Sequence, residues 1–274
     1  MAAEDHVKTT VVVPVWDAYA GPSLEAALQS LEEQEAGFHL LVVDNASTVP
    51  VPSPYGAEVL RAERRLSLGA ARNLGLGRVR TPYVIFWDAD DVMLPGALVA
   101  LQHALDEDEE LVAFGMAIEE SPSGERHRWP RRWIGRLVRT PRLLAVLHCV
   151  WSQFPTTGAT IMRAEAARAG GGFAEADSGE DWCLGVSLAF RGRIGWSEQA
   201  GRIYLLHASS MWARHMSIAH QRRHAAAVRA RLRDDPGVPA WAKTMLPVIA
   251  LGQYAALAAH AVVAASRRRS SGSG

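Results

Sequence analysis

Cysteine is almost missing from this sequence: Cys149 and Cys183 are the only two among 274 residues. That number excludes a disulfide framework and a zinc site of paired Cys-x-x-Cys type, and it fits a reducing, cytoplasmic setting. An excess of either charge is missing too, since 29 Lys and Arg face 29 Asp and Glu. With no global field to hold a polyanion, nucleic acid is not expected as a partner. The opening residues, MAAEDHVKTT, are polar and contain no apolar stretch of signal-peptide length, so secretion is not expected. No third ligand stands beside His220 and His224, whose i,i+4 spacing is otherwise suited to zinc, so a solvated helix face is expected there.

What is present is the material of a large core: 49% of residues are hydrophobic and 21% charged, enough for one large core or two modest ones. Thr10-Val11-Val12-Val13-Pro14-Val15 is a continuous apolar run of the kind a strand buried on both faces needs. Leu24, Ala27, Leu28 and Leu31 then fall at helical spacing, with Ser23 as the expected N-cap. A second strand is expected over Phe38–Val43, a short one near Glu58–Arg61, a helix over 69–79 and a strand over 83–87. This alternation predicts a parallel, doubly wound α/β sheet over the first 110 residues. Ligands bind such sheets beyond the carboxyl ends of the strands, where Asp17, Asp44, Asp88 and Asp90 all fall.

Phe86-Trp87-Asp88-Ala89-Asp90-Asp91 is the densest of these positions. Carboxylates so close raise one another's pKa unless a cation offsets them, and Asp88 and Asp90, separated by Ala89, can direct oxygens at one hard divalent ion. A solvated turn, or the start of the next helix, is the alternative for the tripeptide alone.

Seven segments in order carry a resemblance: Pro14-Val15-Trp16-Asp17, residues 41–47 (LVVDNAS), residues 69–76 (GAARNLGL), residues 86–91 (FWDADD), Gly171-Gly172-Phe173, Gly179-Glu180-Asp181-Trp182 and residues 204–211 (YLLHASSM). Over roughly residues 9–212 the chain resembles glycosyltransferase family 2. The resemblance implies a GT-A (Rossmann-like) fold with a mostly parallel sheet, a nucleotide-sugar donor, Mn²⁺ or Mg²⁺, and inversion at the anomeric carbon. It implies that Asp90 binds the metal bridging the donor's phosphates, that Asp88 reaches toward the ribose and the metal, and that Asp91 supports them or starts the next helix. It further implies Asp181 as the base that removes the acceptor proton, with Glu180 orienting or touching the acceptor. His207 completes the metal set or touches the diphosphate, although the family's usual Arg two residues before it is missing and Leu205 and Leu206 stand there.

On the donor side, Pro14, Val15 and Trp16 are expected to wall the base, with Trp16 and Asp17 departing from the family's smaller aromatic and Asn. Asp44 is placed to accept from a base N–H or ribose hydroxyls, or else to form an Asx turn. Arg72 is placed to reach base or phosphates, or else to lie on the surface. Residues 126–133 (RHRWPRRW), with Trp151 and residues 156–160, are read as an acceptor or lid region, or a plain basic loop.

The expected organisation is a domain over 1–215, with a nucleotide-binding half 1–110 and an acceptor half 111–215, then a helical extension 216–274 with a disordered end. In that extension residues 217–233 read as a basic helix, and the apolar run 245–265 has the length of a bilayer span but is broken by Pro247, Gln253 and His260. A packed helix is the primary reading, with a homodimer contact or a peripheral membrane contact through 216–269 left open. A UDP-sugar is the expected donor, and the acceptor is a small molecule, peptide or lipid-linked species. The rivals are a nucleotidyltransferase, which usually wants a glycine-rich phosphate loop where Pro14–Asp17 stands, and a non-catalytic sugar-nucleotide-binding protein, in which Asp181 is dispensable.

Overall fold

In the computed structural model the described residues are 7–106, 110–120, 124–131, 133–205 and 217–271. The first half runs β1 (Thr9–Val15), α1 (Pro22–Glu32), β2 (His39–Asp44), β3 (Glu58–Arg61), α2 (Leu68–Arg78), β4 (Tyr83–Phe86), β5 (Asp91–Met93) and α3 (Ala97–Asp106). The second runs β6 (Glu110–Glu120), β7 (Arg126–Trp129), α4 (Ile134–Leu137), α5 (Pro141–Val150), β8 (Thr160–Arg163), α6 (Ala164–Ala169), α7 (Glu180–Arg191) and β9 (Arg193–Leu205). Three helices follow: α8 (Ile218–Asp234), α9 (Ala240–Thr244) and α10 (Leu246–Ser271). The helix α10 continues through Ser270 and Ser271, where a disordered end was expected, and residues 272–274 lie outside the described residues.

Every residue of β1 is buried, and the two-residue period of a strand divides its side chains between two cores. Val11, Val13 and Val15 join the cluster of α1 and α3, while Val12 joins the cluster of α2, α5 and α7. The sheet order is β3-β2-β1-β4-β8-β6-β9-β5, with β7 paired to β6 outside that path. β3, β2, β1 and β4 are parallel, as the strand–helix alternation predicts. Beyond β4 the sheet is mixed: β8 runs antiparallel to both β4 and β6, β9 parallel to β6, and β5 antiparallel to β9.

Two local differences from expectation have simple causes. Ser23 is not the cap of α1; Gly21 occupies that position at φ 110° because Pro22, which lacks an amide hydrogen and has a preset φ, takes the first helical turn. Residues 126–129 are a strand and not a free loop, since β7 pairs antiparallel with the end of β6 and so brings Trp129 opposite Ala117.

A third apolar cluster seats the C-terminal helices. Val228 and Leu232 of α8, Val238, Ala242 of α9 and Ile249 of α10 pack with Cys149 of α5 and Trp182, Cys183 and Val186 of α7. Polar ties reinforce it: Asp235 accepts from Ser187 Oγ at 2.6 Å and from Arg191 at 2.5 and 2.6 Å, and Gln253 donates to the Cys149 carbonyl at 2.8 Å. Among the described residues no helix is long and apolar enough to cross a membrane. The outer face of α10 is nevertheless apolar, with Val248, Leu251, Tyr254 and Val262 exposed.

Candidate active site

A cleft of about 450 Å³ opens beyond the carboxyl ends of the parallel strands. Its lining includes Pro14 near the end of β1, Trp16 and Tyr19 after it, Arg72 from α2, Asp88, Ala89 and Asp90 after β4, and Glu180, Asp181 and Trp182 from the first turn of α7. Trp129, Trp151, Thr157 and Arg202 line it as well. A larger cavity, about 970 Å³, lies at the opposite ends of β1 and β2 among residues such as Lys8, Gln34, His39 and Arg78, and holds none of these carboxylates.

Asp88 sits between two buried guanidinium groups. Arg72 donates to its Oδ1 at 2.5 Å and Arg202 to its Oδ2 at 3.1 Å. Arg72 also contacts Glu180, and Arg202 also contacts Asp91. Burial opposes ionisation of Asp88, but the two arginines outweigh it and hold the carboxyl below its ordinary value. Asp91 differs: burial raises it well above 3.8, and the neighbouring Asp88 and Asp90 add to the rise. It begins β5 and supports the site through Arg202; it does not start a helix.

Arg202 is the functional candidate that sequence reasoning missed. The antiparallel register of β9 on β5 puts Arg202 opposite Met93 and Tyr204 opposite Asp91, which delivers the guanidinium beneath the Asp-x-Asp turn. Gly158 makes room for it: at φ 69°, a Cβ there would lie 2.3–2.5 Å from the guanidinium.

Glu180 and Asp181, the carboxylates expected on the acceptor side, are held differently. Burial lifts Glu180 to about 7. Burial also raises Asp181, whose Oδ1 accepts from the Trp182 amide at 2.8 Å and whose own carbonyl accepts from Thr156 Oγ1 at 2.7 Å. Phe173 packs edge-to-face on Phe86 at 4.6 Å, so the Gly171–Phe173 segment rests on β4.

The expected donor-side residues do not all reach the cleft. Trp16 lines it, braced by Tyr19 at 4.5 Å and covered by the Arg65 guanidinium at 4.0 Å. Val15 is buried in the core, and Asp17 is exposed, accepting from Thr48 N at 2.7 Å and Thr48 Oγ1 at 2.9 Å. Neither Val15, Asp17 nor Asp44 lines the cleft. Asp44 is buried with both oxygens engaged: Oδ1 accepts from Ser47 N at 2.9 Å and Oδ2 from Val51 N at 3.3 Å and from Arg61. This is the Asx-turn alternative realised. Arg72 is 2% exposed, so the surface alternative does not apply to it. Of the basic segment, Trp129 reaches the cleft, whereas Arg126 pairs with Glu120 at 2.8 Å and Trp133 is exposed. His207 and the rest of 206–211 lie outside the described residues.

Comparison with known proteins places this geometry. Solved structures with the same fold include S. aureus TarS 1-349 in complex with UDP-GlcNAc, at TM-score 0.64 and 17% identity over 91% of this chain and 73% of that one. GalNAc-T7 with UDP, GalNAc and Mn²⁺ is similar at TM-score 0.54 and 13% identity over 74% and 45% of the two chains. The succinoglycan biosynthesis protein ExoW of Rhizobium meliloti (strain 1021) is 29% identical over 102 residues, 34% of this chain and 32% of that protein, so the match spans about a third of that relative. Residues 10–170 match the family model described as glycosyl transferase family 2. That match takes in more than half of the chain, including the strands that present Asp88 and Asp90, and the chain therefore belongs to glycosyltransferase family 2.

Proposed function

We propose that the enzyme moves a sugar from a UDP-sugar to a small-molecule, peptide or lipid-linked acceptor, with inversion at the anomeric carbon and with a divalent cation. The observation that supports this most directly is that the Asp88-Ala89-Asp90 turn and Glu180-Asp181 line one cleft, although about 90 residues separate them in sequence. Family membership sets the nucleotidyltransferase alternative aside.

The donor end is formed by Pro14, Trp16 and Tyr19, whose apolar and aromatic surfaces suit a nucleobase, with Arg72 behind the carboxylates. Val15, Asp17 and Asp44 shape that end from outside the lining, Asp44 by fixing the turn after β2. The residues present fit a divalent cation by charge. Among the described residues Asp88, Asp91 and Glu180 share the guanidinium groups of Arg72 and Arg202, and Asp90 and Asp181 bring further carboxyl groups beside them, so carboxyl groups outnumber the guanidinium groups they share. Among the described residues no group of three or more His, Cys, Asp or Glu is arranged to hold a metal. An ion such as Mg²⁺ needs only one or two carboxylates from the protein when substrate phosphates complete its shell. Asp90 is the residue we assign to hold it, and Asp88, fixed by its two arginines, orients the turn. When bound, the cation offsets charge on the departing nucleoside diphosphate.

In transfer, Asp181 takes the proton from the acceptor hydroxyl as that oxygen bonds to the anomeric carbon. The bond from that carbon to the phosphate oxygen breaks, and UDP leaves with the electron pair. Burial, which raises Asp181, makes its carboxylate a stronger base than an exposed one. Glu180 holds Arg72 against the site.

Asp181→Asn is expected to abolish transfer while UDP still binds, and Asp90→Ala to lose the Mn²⁺-dependent part of UDP affinity by calorimetric titration. Transfer by Asp181→Asn at the wild-type rate would remove Asp181 from the mechanism, whereas UDP binding with no transfer by the wild type would favour a binding protein. UDP affinity in Asp90→Ala that still responds to Mn²⁺ would remove Asp90 as the metal ligand.

A further inference from the structure

The segment that leads into Glu180 and Asp181 is rich in glycine, and little in its own sequence fixes its path. Gly171, Gly172 and Gly179 all have positive φ, at 77°, 65° and 72°. A loop of this composition has a large conformational entropy to lose, so its ordered form must be held by contacts from outside. On one side these come from α2: the Gly69 amide donates to the Ala176 carbonyl at 3.0 Å, the Leu68 amide to Asp177 Oδ1 at 3.0 Å, and Asn73 is hydrogen-bonded twice to the backbone of Phe173 at 2.9 Å.

On the other side the contacts come from α8, which lies in the C-terminal helical region beyond the stretch matched to the family. Arg231 donates to the Gly170 carbonyl at 2.5 Å and to the Gly172 carbonyl at 3.3 Å. Two turns earlier on the same helix, His224 Nε2 shares a 2.8 Å hydrogen bond with Ser178 Oγ. The imidazole also lies flat against the turn: a Cβ on Gly179 would sit 2.6 Å from its Cγ, so only glycine permits this approach at that backbone angle. Gly179 is the N-cap of α7, and Glu180 and Asp181 are its first two residues. A helix end is thus set by the residue pressed on its cap.

We infer that His224 is a positioning residue for Asp181, with Arg231 anchoring the other end of the same loop, so that α8 is part of the catalytic unit and not an appendage. The inference rests on the reading of Asp181 as the base. His224 touches the loop and the cleft wall, and its effect on the reaction is transmitted through Ser178 and Gly179 to the first turn of α7. A displacement of about 1 Å at a reacting group can cost on the order of a hundredfold in rate, so a contact this local has leverage.

The test uses the full chain with His224→Ala, His224→Gln, Ser178→Ala and the His224→Ala/Ser178→Ala double variant. Gln offers a hydrogen-bonding atom at the reach of Nε2, so it should restore what Ala removes. Three readouts are compared at equal folded fraction: amide exchange over residues 170–182, UDP affinity by calorimetry, and UDP release from UDP-glucose, UDP-galactose, UDP-GlcNAc and UDP-GalNAc. Faster exchange in 170–182, unchanged UDP affinity and a fall of about ten- to a hundredfold in UDP release are expected for His224→Ala, with recovery in His224→Gln. The double variant should be no slower than the worse single one, because both remove the same contact. Wild-type exchange in His224→Ala, additive losses in the double variant, or no recovery by Gln would each overturn the inference. Asp181→Asn separates the two ideas: if it retains turnover while His224→Ala loses it, the base assignment fails and the control by α8 concerns another group on the loop.

Discussion

In an Arg202→Met variant, the buried carboxylates of Asp88 and Asp91 lose a guanidinium that touches both. Methionine keeps an unbranched apolar stem of similar length, so the change removes charge more than packing. Asp91 is 0% exposed, and its Oδ1 already lacks a hydrogen-bond partner among the described residues. Breaking a buried pair by removing one partner costs about 3–5 kcal/mol. For a domain of roughly this size each kcal/mol moves Tm by about 2–4 °C, so a fall of about 6–20 °C follows. The penalty depends on pH in a definite direction. Burial raises Asp91 in the folded protein, and losing Arg202 raises it further, whereas the unfolded chain ionises near 3.8. Stability therefore falls as pH rises from that value toward the folded pKa, and the variant is least impaired in acid. Thermal unfolding followed by circular dichroism at pH 5 and pH 8 measures both effects. Replacing the stranded acid as well, in Arg202→Met/Asp91→Leu, should recover part of the loss. A single variant that melts within about 2 °C of wild type at pH 8, or equally depressed at both pH values, would refute the assignment of Arg202 as the counterion.

His148 gives a second pH signature. It is buried, stacks on Phe154 at 4.0 Å and accepts from the Gln153 amide at Nδ1, and burial lowers its pKa to about 3. A depressed histidine contributes its stability fully above the unfolded value of 6.5, and that stability is lost as pH falls toward 3, at about 1.4 kcal/mol per pH unit. His148→Asn keeps an acceptor and removes the titration, so its urea-unfolding free energy should fall less steeply between pH 6 and pH 4.5; an unchanged slope counts against the reading. The two thiols make a simpler case: Cys149 and Cys183 are buried and burial pushes both up to about 12. Neither should react with Ellman's reagent before unfolding, and rapid labelling of the native protein would contradict their placement.

What was legible in the sequence follows the range of the forces involved. β1, β2 and β4 are apolar runs whose burial depends on local composition, and the carboxylates at their ends sit where a parallel sheet must put them. Arg202 was not legible in this way. Its role comes from the register of β9 on β5, a pairing between segments more than 100 residues apart, whereas the family motif at His207 specifies an arginine along the chain and not across it. A charged residue set between Gly201 and Ile203 in a strand, where a buried face was due, was the available signal. Asp44 shows the opposite lesson, since the Asp-Asn-Ala-Ser turn states its own hydrogen bonds locally and the structure uses the carboxylate for them. The contribution of α8 is hidden for the same reason: the i,i+4 spacing of His220 and His224 speaks only of a metal or a solvated face, while His224 hydrogen-bonds to a serine 46 residues away.

The site's wiring also has a consequence for biosynthesis. Asp88 meets Arg72 within the first hundred residues but meets Arg202 only across 114 positions, and Arg72 meets Glu180 across 108. Long separations of this kind are closed late, because the entropy of the intervening chain must be given up before the contact repays it. A chain emerging from the ribosome can assemble the four parallel strands well before the second arginine and the acidic helix start exist. Until then the Asp-x-Asp turn lacks Arg202 and the carboxylates of α7, so the charge network of the cleft waits on synthesis and docking of α7 and β9.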